Sequence, residues 1–301
     1  FDNMSILFIT KVMEINRIRP DEHNFTQRLA SIANPPKSLC FMGKLPTSGA
    51  PVVAIVGSRK PSAYGREVTE QLAGDLATAG CIIVSGLALG IDGIAQKAAL
   101  EAGGTVIGVI PNELPDISPQ TNYKLAMSTI KNGGAILSEW QKGDGKVVNR
   151  WSFLERNRLV SGLADAVIIT EAAERSGTLN TATHALSQGR DVFAVPGNIT
   201  SPLSAGCNAL LKQGAYPATE AKDILQIIAP EQLKKPGQSQ LPLGSSPEET
   251  IIISLIASGV RSGDQLQQQS GLSASNFSTA LTMLEINGVI KPLGANNWTL
   301  K

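Results

Sequence analysis

Between Val52 and about Ile228 the chain alternates short, nearly continuous apolar runs with segments of helical periodicity. The runs are "VVAIV", "CIIVSG", "TVIGVI", "GAILSE", "DAVIIT" and "DVFAVPG". They are rich in β-branched residues and lack polar alternation, which suits strands buried on both faces of a parallel sheet. The spacing between them predicts helices such as Arg66–Ala79, Asp92–Ala102 and Thr178–Gln188. Right-handed crossovers then give an α/β fold, an extended Rossmann-like, doubly wound, mostly parallel sheet of about six strands.

On either side of this alternation the pattern changes. Residues 1–50 are weakly patterned and read as an N-terminal lead-in segment, with one extended stretch in "PPKSLCFMGKLP". Within it, "SILFITKV" is too short to span a bilayer and lacks the basic flank and cleavage site of a signal peptide. Residues 51–229 form the expected Rossmann-like domain. "PEQLKKPGQSQLPLGSSPEE" is rich in Pro, Gly, Ser and Gln, so 230–247 reads as a flexible linker. Over 248–301, helices are expected at Glu248–Ala257, Ser262–Ser270 and Ser273–Asn287, the last two opened by serine N-caps. With the tail "GVIKPLGANNWTL" as two short strands, the pattern is that of a small C-terminal winged-helix domain.

Composition narrows the chemistry. The 301 residues are 42% hydrophobic and carry a net charge of +1, so any electrostatic argument must be local. Cys40, Cys81 and Cys207 lie far apart in apolar or Gly-rich surroundings and read as small buried residues of a reducing cytoplasm. Neither a membrane nor a metal partner is indicated.

In an open parallel sheet, ligands bind where strand ends feed into helix N-termini. Here those turns are built from glycine and hydroxyl residues: Gly57-Ser58-Arg59, then "SGLALGID" with Ser85 and Gly86, then "TEAAERSGTLNTA" with Ser176, Gly177 and Thr178, and finally "PGNITSPLSAGCN". Such turns let backbone N–H groups approach an anion that the helix dipole also favours. Arginines reinforce the pattern: Arg59, Arg175, and Arg150, Arg156 and Arg158 in "RWSFLERNRLVSGL", interleaved with Trp151 and Phe153. Guanidinium forks hold phosphate oxygens, and aromatic faces stack on bases. Phe153 reads equally as a packing residue. Arg156 and Arg158, two positions apart, cannot both face one ligand, and Asn157 between them is a candidate to hold the loop. Asp92 is expected to cap its helix and Glu171 to order the neighbouring loop, each with an acid–base role as the alternative. His23 and His184 offer no cluster, His184 reading as a packed or surface residue. The loops therefore hold an anion without evident acid–base machinery, which describes binding, not turnover; whether the phosphate belongs to a cofactor, a substrate or a polymer stays open.

The runs "VAIVGSRKPSAYG", "IVSGLALGID", "ERNRLVSGLADAVIITEAAERSGTLNTA" and "DVFAVPGNITSPLSAGCNALLKQGA", in unbroken order from about Val52 to Ala215, closely resemble the DNA-processing protein A (DprA, or Smf) family. The lead-in "ANPPKSLCFMGKLP" is similar to the family's approach to the first strand. The resemblance implies a single-stranded DNA-binding protein, not an enzyme, that protects incoming DNA and loads the RecA recombinase during natural transformation or recombination. It also implies a cytoplasmic homodimer formed through the Rossmann domain, needing no cofactor. Carried over residue by residue, the DNA pocket would use Gly57, Ser58, Arg59, Ser85, Gly86, Phe153, Arg156, Asn157, Arg158, Ser176, Gly177 and Thr178. The first loop would then cradle polymer phosphates, with Arg59 as a clamp.

Several positions depart from the family pattern. Leu89 stands where an arginine is usual, Gln96 where a histidine is common, and Leu154 and Glu155 where a proline and an often basic residue occur. Fewer cations at the pocket rim imply weaker or more salt-sensitive DNA binding. Residues 247–301 carry three basic and four acidic residues, and the expected recognition helix "SASNFSTALTMLEING" has no Lys or Arg. Phosphate neutralisation dominates duplex affinity, so this domain is expected to contact protein or act as an accessory. Two competing readings each lack a required residue type. A nucleotide N-glycosidase resembling the LOG family needs a glutamate where "RSGTLNTA" has Thr181, and a regulator acting through the winged helix needs a basic recognition helix.

Overall fold

The computed structural model describes residues 14–234, 246–294 and 296–300. "SILFITKV" and most of the expected linker lie outside them; Pro230–Lys234, within the linker as read from sequence, forms a short helix. The described residues fall into two compact units, divided between Leu233 and Lys234.

The first unit is built on a nine-stranded sheet. In chain order the strands are β1 (Asn16–Ile18), β2 (Leu39–Gly43), β3 (Val52–Val56), β4 (Ile82–Ser85), β5 (Val106–Val109), β6 (Ala135–Ser138), β7 (Ala166–Ile169), β8 (Asp191–Ala194) and β9 (Tyr216–Pro217). Their spatial order is β1-β2-β6-β5-β4-β3-β7-β8-β9, parallel from β6 to β9 and antiparallel where β2 meets β6 and β1 meets β2. All six apolar runs are strands of a Rossmann-like, doubly wound sheet, and β1, β2 and β9 extend it beyond the six expected. The main helices between strands are α1 (Ala63–Thr78), α2 (Ile91–Glu101), α3 (Tyr123–Lys131), α4 (Arg150–Leu163), α5 (Thr178–Ser187) and α6 (Ala205–Lys212), and α7 (Ala221–Ile228) follows β9.

Continuous apolarity has its explanation in β3, where all five residues are buried. Val52, Ala54 and Val56 face one hydrophobic cluster, and Val53 and Ile55 face another. Alternate side chains of a strand point to opposite faces, so a strand covered on both sides leaves no position for a polar residue.

The extended stretch expected in "PPKSLCFMGKLP" contains β2. It closes the β6 edge through β2, with Cys40 opposite Ser138 and Met42 opposite Ile136, and so belongs to the sheet. Phe25, Leu29 and Ile32 join the same cluster as Leu159 and Leu163. Arg28 donates from Nη1 to the Leu163 carbonyl at 2.8 Å and to Asp165 Oδ1 at 3.0 Å, while Asp165 Oδ2 accepts from the Val52 N–H at 2.8 Å. One carboxylate thus fixes both the lead-in and the start of β3.

The second unit has helices Pro247–Ala257, Gly263–Ser270 and Ala274–Ile286, followed by an antiparallel hairpin of Ile290–Gly294 with Asn297–Leu300. This is a winged helix around Ile252, Ile253, Ile256, Leu266, Phe277, Leu284 and Ile290. Ser273 caps the third helix by accepting from the Asn276 N–H at 3.3 Å, whereas Ser262 sits at its N-cap with no side-chain bond. Among the described residues no helix is long and apolar enough to cross a membrane.

Because Leu29 is fully buried, Leu29→Ala should destabilise the first unit by about 2–5 kcal/mol. Chemical denaturation of the full chain checks this, and a shift under about 0.5 kcal/mol, typical of surface positions, would mean that the lead-in is peripheral.

Candidate nucleic-acid interface

From β3 the chain winds outward through β4, β5 and β6, then returns to place β7 against the other side of β3. The β3–β7 junction is therefore the topological switch point, where diverging loops open a crevice beyond the strand ends. A pocket of about 530 Å³ lies there. Its walls include Gly57, Ser58 and Arg59 after β3, Ala88 and Asp92 after β4, Arg150, Phe153, Arg156 and Asn157 of α4, and Arg175, Ser176, Gly177 and Thr178 after β7.

The loops fasten to one another through main-chain groups. The Ser58 N–H donates to the Glu171 carbonyl at 2.8 Å, and the Ile91 N–H donates to the Ser58 carbonyl at 3.1 Å. Thr178 Oγ1 donates to the Gly57 carbonyl at 3.0 Å. Gly90, with φ +77°, is the contact point between the first two loops: a Cβ there would strike the Ser58 carbonyl and the Arg59 backbone. Glu171, fully buried, accepts from the Ser62 N–H at 2.9 Å and Ser62 Oγ at 2.6 Å, and Ser62 in turn caps α1 through the Gly65 N–H at 3.1 Å. This is the loop-ordering role expected for Glu171.

Asp92 differs from expectation. The helix begins one residue earlier, with Gly90 as N-cap, so Asp92 lies inside its first turn. Its carboxylate folds back to accept from the Gly86 N–H at 3.0 Å and braces the second loop instead of capping the helix. Burial pushes the carboxyl above its ordinary range, opposed by the charge of Arg156 and by the Gly86 and Ala88 N–H groups.

Arg156 is the main cation of the pocket floor. Only 5% exposed, it donates from Nη1 to the Val109 carbonyl at 3.1 Å, while its Nε has no partner. Burial pulls its pKa down to about 10, the Asp92 charge opposing and the Arg59 charge adding to the fall. A Cβ on Gly86 would occupy the position of the Arg156 guanidinium, so glycine there makes room for the buried cation. Arg59 is exposed, with its guanidinium 5.1 Å from the centre of the Phe153 ring. Phe153, half-buried, therefore holds a cation over its ring.

Of the residues carried over from the family, Gly57, Ser58, Arg59, Phe153, Arg156, Asn157, Ser176, Gly177 and Thr178 come together on the pocket wall. Ser85 and Gly86 lie beneath it, the buried Ser85 hydroxyl donating to the Ile55 carbonyl at 2.6 Å. Arg158 faces elsewhere and makes a bidentate pair with Glu139 at 2.7 and 3.0 Å, the divergence its spacing from Arg156 requires. Asn157 makes only long contacts, 3.5 Å to the Gly177 carbonyl and 3.4 Å to Asn180 Oδ1, which fits a loop-holding role. Arg150 and Arg175, read from sequence as supporting cations only, also line the pocket. His184 is half-buried, its pKa lowered by burial and by the Arg158 charge. Among the described residues, no group of three or more His, Cys, Asp or Glu side chains could hold a metal ion.

Asn122 was not foreseen. Its amide donates to the Leu87 carbonyl at 2.9 Å and the Ala88 carbonyl at 3.0 Å. Leu87, fully buried, has φ 55°, a left-handed conformation that costs a leucine about 1–3 kcal/mol unless its surroundings hold it. Asn122 is that support, and a strut contributed from over thirty residues away leaves no local sequence signal.

Residues 16–229 match the sequence profile of DNA recombination-mediator protein A, and residues 235–296 that of the DprA winged helix domain. The chain belongs to this family. Protein Smf of Escherichia coli (strain K12) is 37% identical over 283 residues, covering 91% of this chain and 74% of its own length. DNA processing protein DprA of Bacillus subtilis (strain 168) is 39% identical over 213 residues, covering 70% and 71%. Among solved structures, DprA from Streptococcus pneumoniae aligns with TM-score 0.65 at 35% identity, over 76% of this chain and 78% of that one. DNA processing protein A from Helicobacter pylori, which has a described single-stranded DNA binding mode, aligns with TM-score 0.63 at 32% identity, over 73% and 98%. In this DprA-family chain the switch-point pocket lies wholly within the recombination-mediator region.

Removing the strut should loosen that pocket. Asn122→Ala strips the donor from two carbonyls and should cost about 1–3 kcal/mol by chemical denaturation. Asn122→Asp, which sets a carboxylate against the same carbonyls, should cost more, and equal stability of both variants with wild type would remove the strut from the account.

Proposed function

We propose that this DprA-family chain binds single-stranded DNA in the switch-point pocket and acts in DNA processing by holding the strand for a RecA-type recombinase. The observation that carries the reading is Arg156, a nearly buried guanidinium on the pocket wall whose Nε is unpartnered. Burying a charge is costly even beside the partial compensation of Asp92, and a phosphate entering the pocket supplies further negative charge against the guanidinium.

The remaining residues divide the work by chemistry. The Ser176-Gly177 turn lets a sugar-phosphate backbone approach the N-terminus of α5, with Gly57-Ser58 on the facing wall of the pocket. Arg59, Arg150 and Arg175 ring the pocket and neutralise further phosphates. The Phe153 face, already under Arg59, gives a base a stacking surface. A π-face and phosphate cations do not distinguish bases, so binding is sequence-tolerant. Thr181, where the glycosidase pattern requires glutamate, lines the same pocket and offers no carboxylate for acid–base work. Binding without turnover therefore fits the residues present. A cytoplasmic homodimer joined through the Rossmann-like unit, and a winged helix engaged with protein, complete the proposal.

The test is fluorescence anisotropy of a labelled oligothymidylate over a salt series, wild type against Arg59→Ala. The variant should bind at least about tenfold more weakly, with a salt slope shallower by about 0.7 for one lost phosphate contact. No binding by wild type, or an Arg59→Ala titration superimposable on it, would return the pocket to small nucleotides.

A further inference from the structure

A second concavity of about 860 Å³ lies against the first, between α2 and α3. The two share Arg59, which lines both, and are separated by the loop that carries Ala88, Leu89 and Gly90. Besides Arg59, the groove carries Arg66, Lys97 and Lys124 against two carboxylates, Glu70 and Glu101. The charges are not cancelled locally. Lys97 and Glu101 stand 3.6 Å apart but are 70% and 66% exposed, a solvent-screened pair of little consequence. Arg66 and Lys124 make no ion pair among the described residues. Leu89, 46% exposed on the dividing loop, supplies apolar surface where a strand would cross from one concavity to the other.

We infer that this groove is a second nucleotide subsite, which receives the strand as it leaves the switch-point pocket over Arg59. The inference rests on the single-stranded DNA reading above. A concave surface with excess positive charge concentrates a polyanion, and a polymer anchored in the first pocket presents its next phosphates to this groove at high effective concentration. Continuity through one shared arginine selects a strand over a separate small ligand. On the polar walls Asn122 already spends its amide on the Leu87 and Ala88 carbonyls, and Asn132 its amide on the Ser128 carbonyl. The subsite therefore reads backbone and apolar surface, not sequence.

The experiment compares a thymidine trinucleotide with a long oligothymidylate on the full chain, by calorimetric or competition titration. The variants are Lys97→Gln/Lys124→Gln and Leu89→Arg. The double variant should bind the trinucleotide like wild type and the long strand about five- to tenfold more weakly. Its occluded site should shrink, and its salt slope should be shallower by about 1.4 for two lost contacts. Leu89→Arg, which adds a cation on the dividing loop, should tighten the long strand selectively and steepen the slope. Long-strand binding by folded double variant equal to wild type, or an equal loss at both lengths, overturns the subsite. Failure of wild type itself to bind either length overturns the single-strand reading and the subsite with it.

Discussion

The arrangement at the strand ends depends on one buried positive charge. An arginine with only 5% of its surface exposed must be placed, braced and partly compensated by its neighbours. Gly86 must lack a side chain so that the guanidinium fits; the Val109 carbonyl takes one of its hydrogen bonds, and Asp92 supplies the opposing charge while holding the same loop through the Gly86 N–H. The chain must then turn sharply between Gly86 and Asp92, and it does so with Leu87 in a left-handed conformation held by Asn122. The second loop is thus shaped by the needs of a residue on α4, more than sixty positions later in the chain.

Much of the frame was legible in the sequence. Six apolar runs with no polar alternation can only be strands covered on both faces, and glycine–hydroxyl turns after them mark one edge as the binding edge. The spacing of Arg156 and Arg158 already forbade a shared target, and the structure sends Arg158 to Glu139. The rest depended on distance along the chain. The short β1 and β2 belong to the sheet only because β6 offers an open edge, a fact no local pattern in residues 14–50 records. Asp92 was displaced from its expected cap by a one-residue shift in where the helix starts, and boundaries of that kind are set by the neighbouring loop. Asn122, with no apolar period or glycine turn around it, gains its place solely from tertiary contact.

The second unit follows a different logic. Its core of Ile252, Ile256, Leu266, Phe277 and Leu284 fixes a helix-turn-helix geometry, yet its third helix offers no basic side chain to phosphate. Shape and charge therefore point in opposite directions. Where electrostatics supplies most of the affinity for nucleic acid, the charge has the greater weight, and the third helix presents the apolar Met283 and Ile286 where a duplex reader would carry cations.

The main-chain ties among the loops have a kinetic meaning. Gly57, Ser58, Ile91, Glu171 and Thr178 are hydrogen-bonded to one another, so the amides that face the pocket have little freedom to lose when an anion arrives. For a strand bound as proposed, the entropy lost on association would fall on the polymer, whose backbone torsions must freeze, and hardly at all on the protein. A site ordered in advance has no slow opening step, so capture runs at a rate set by diffusion and charge steering. Release would then be the slow event, and a recipient of the strand would have to compete for its phosphates one at a time.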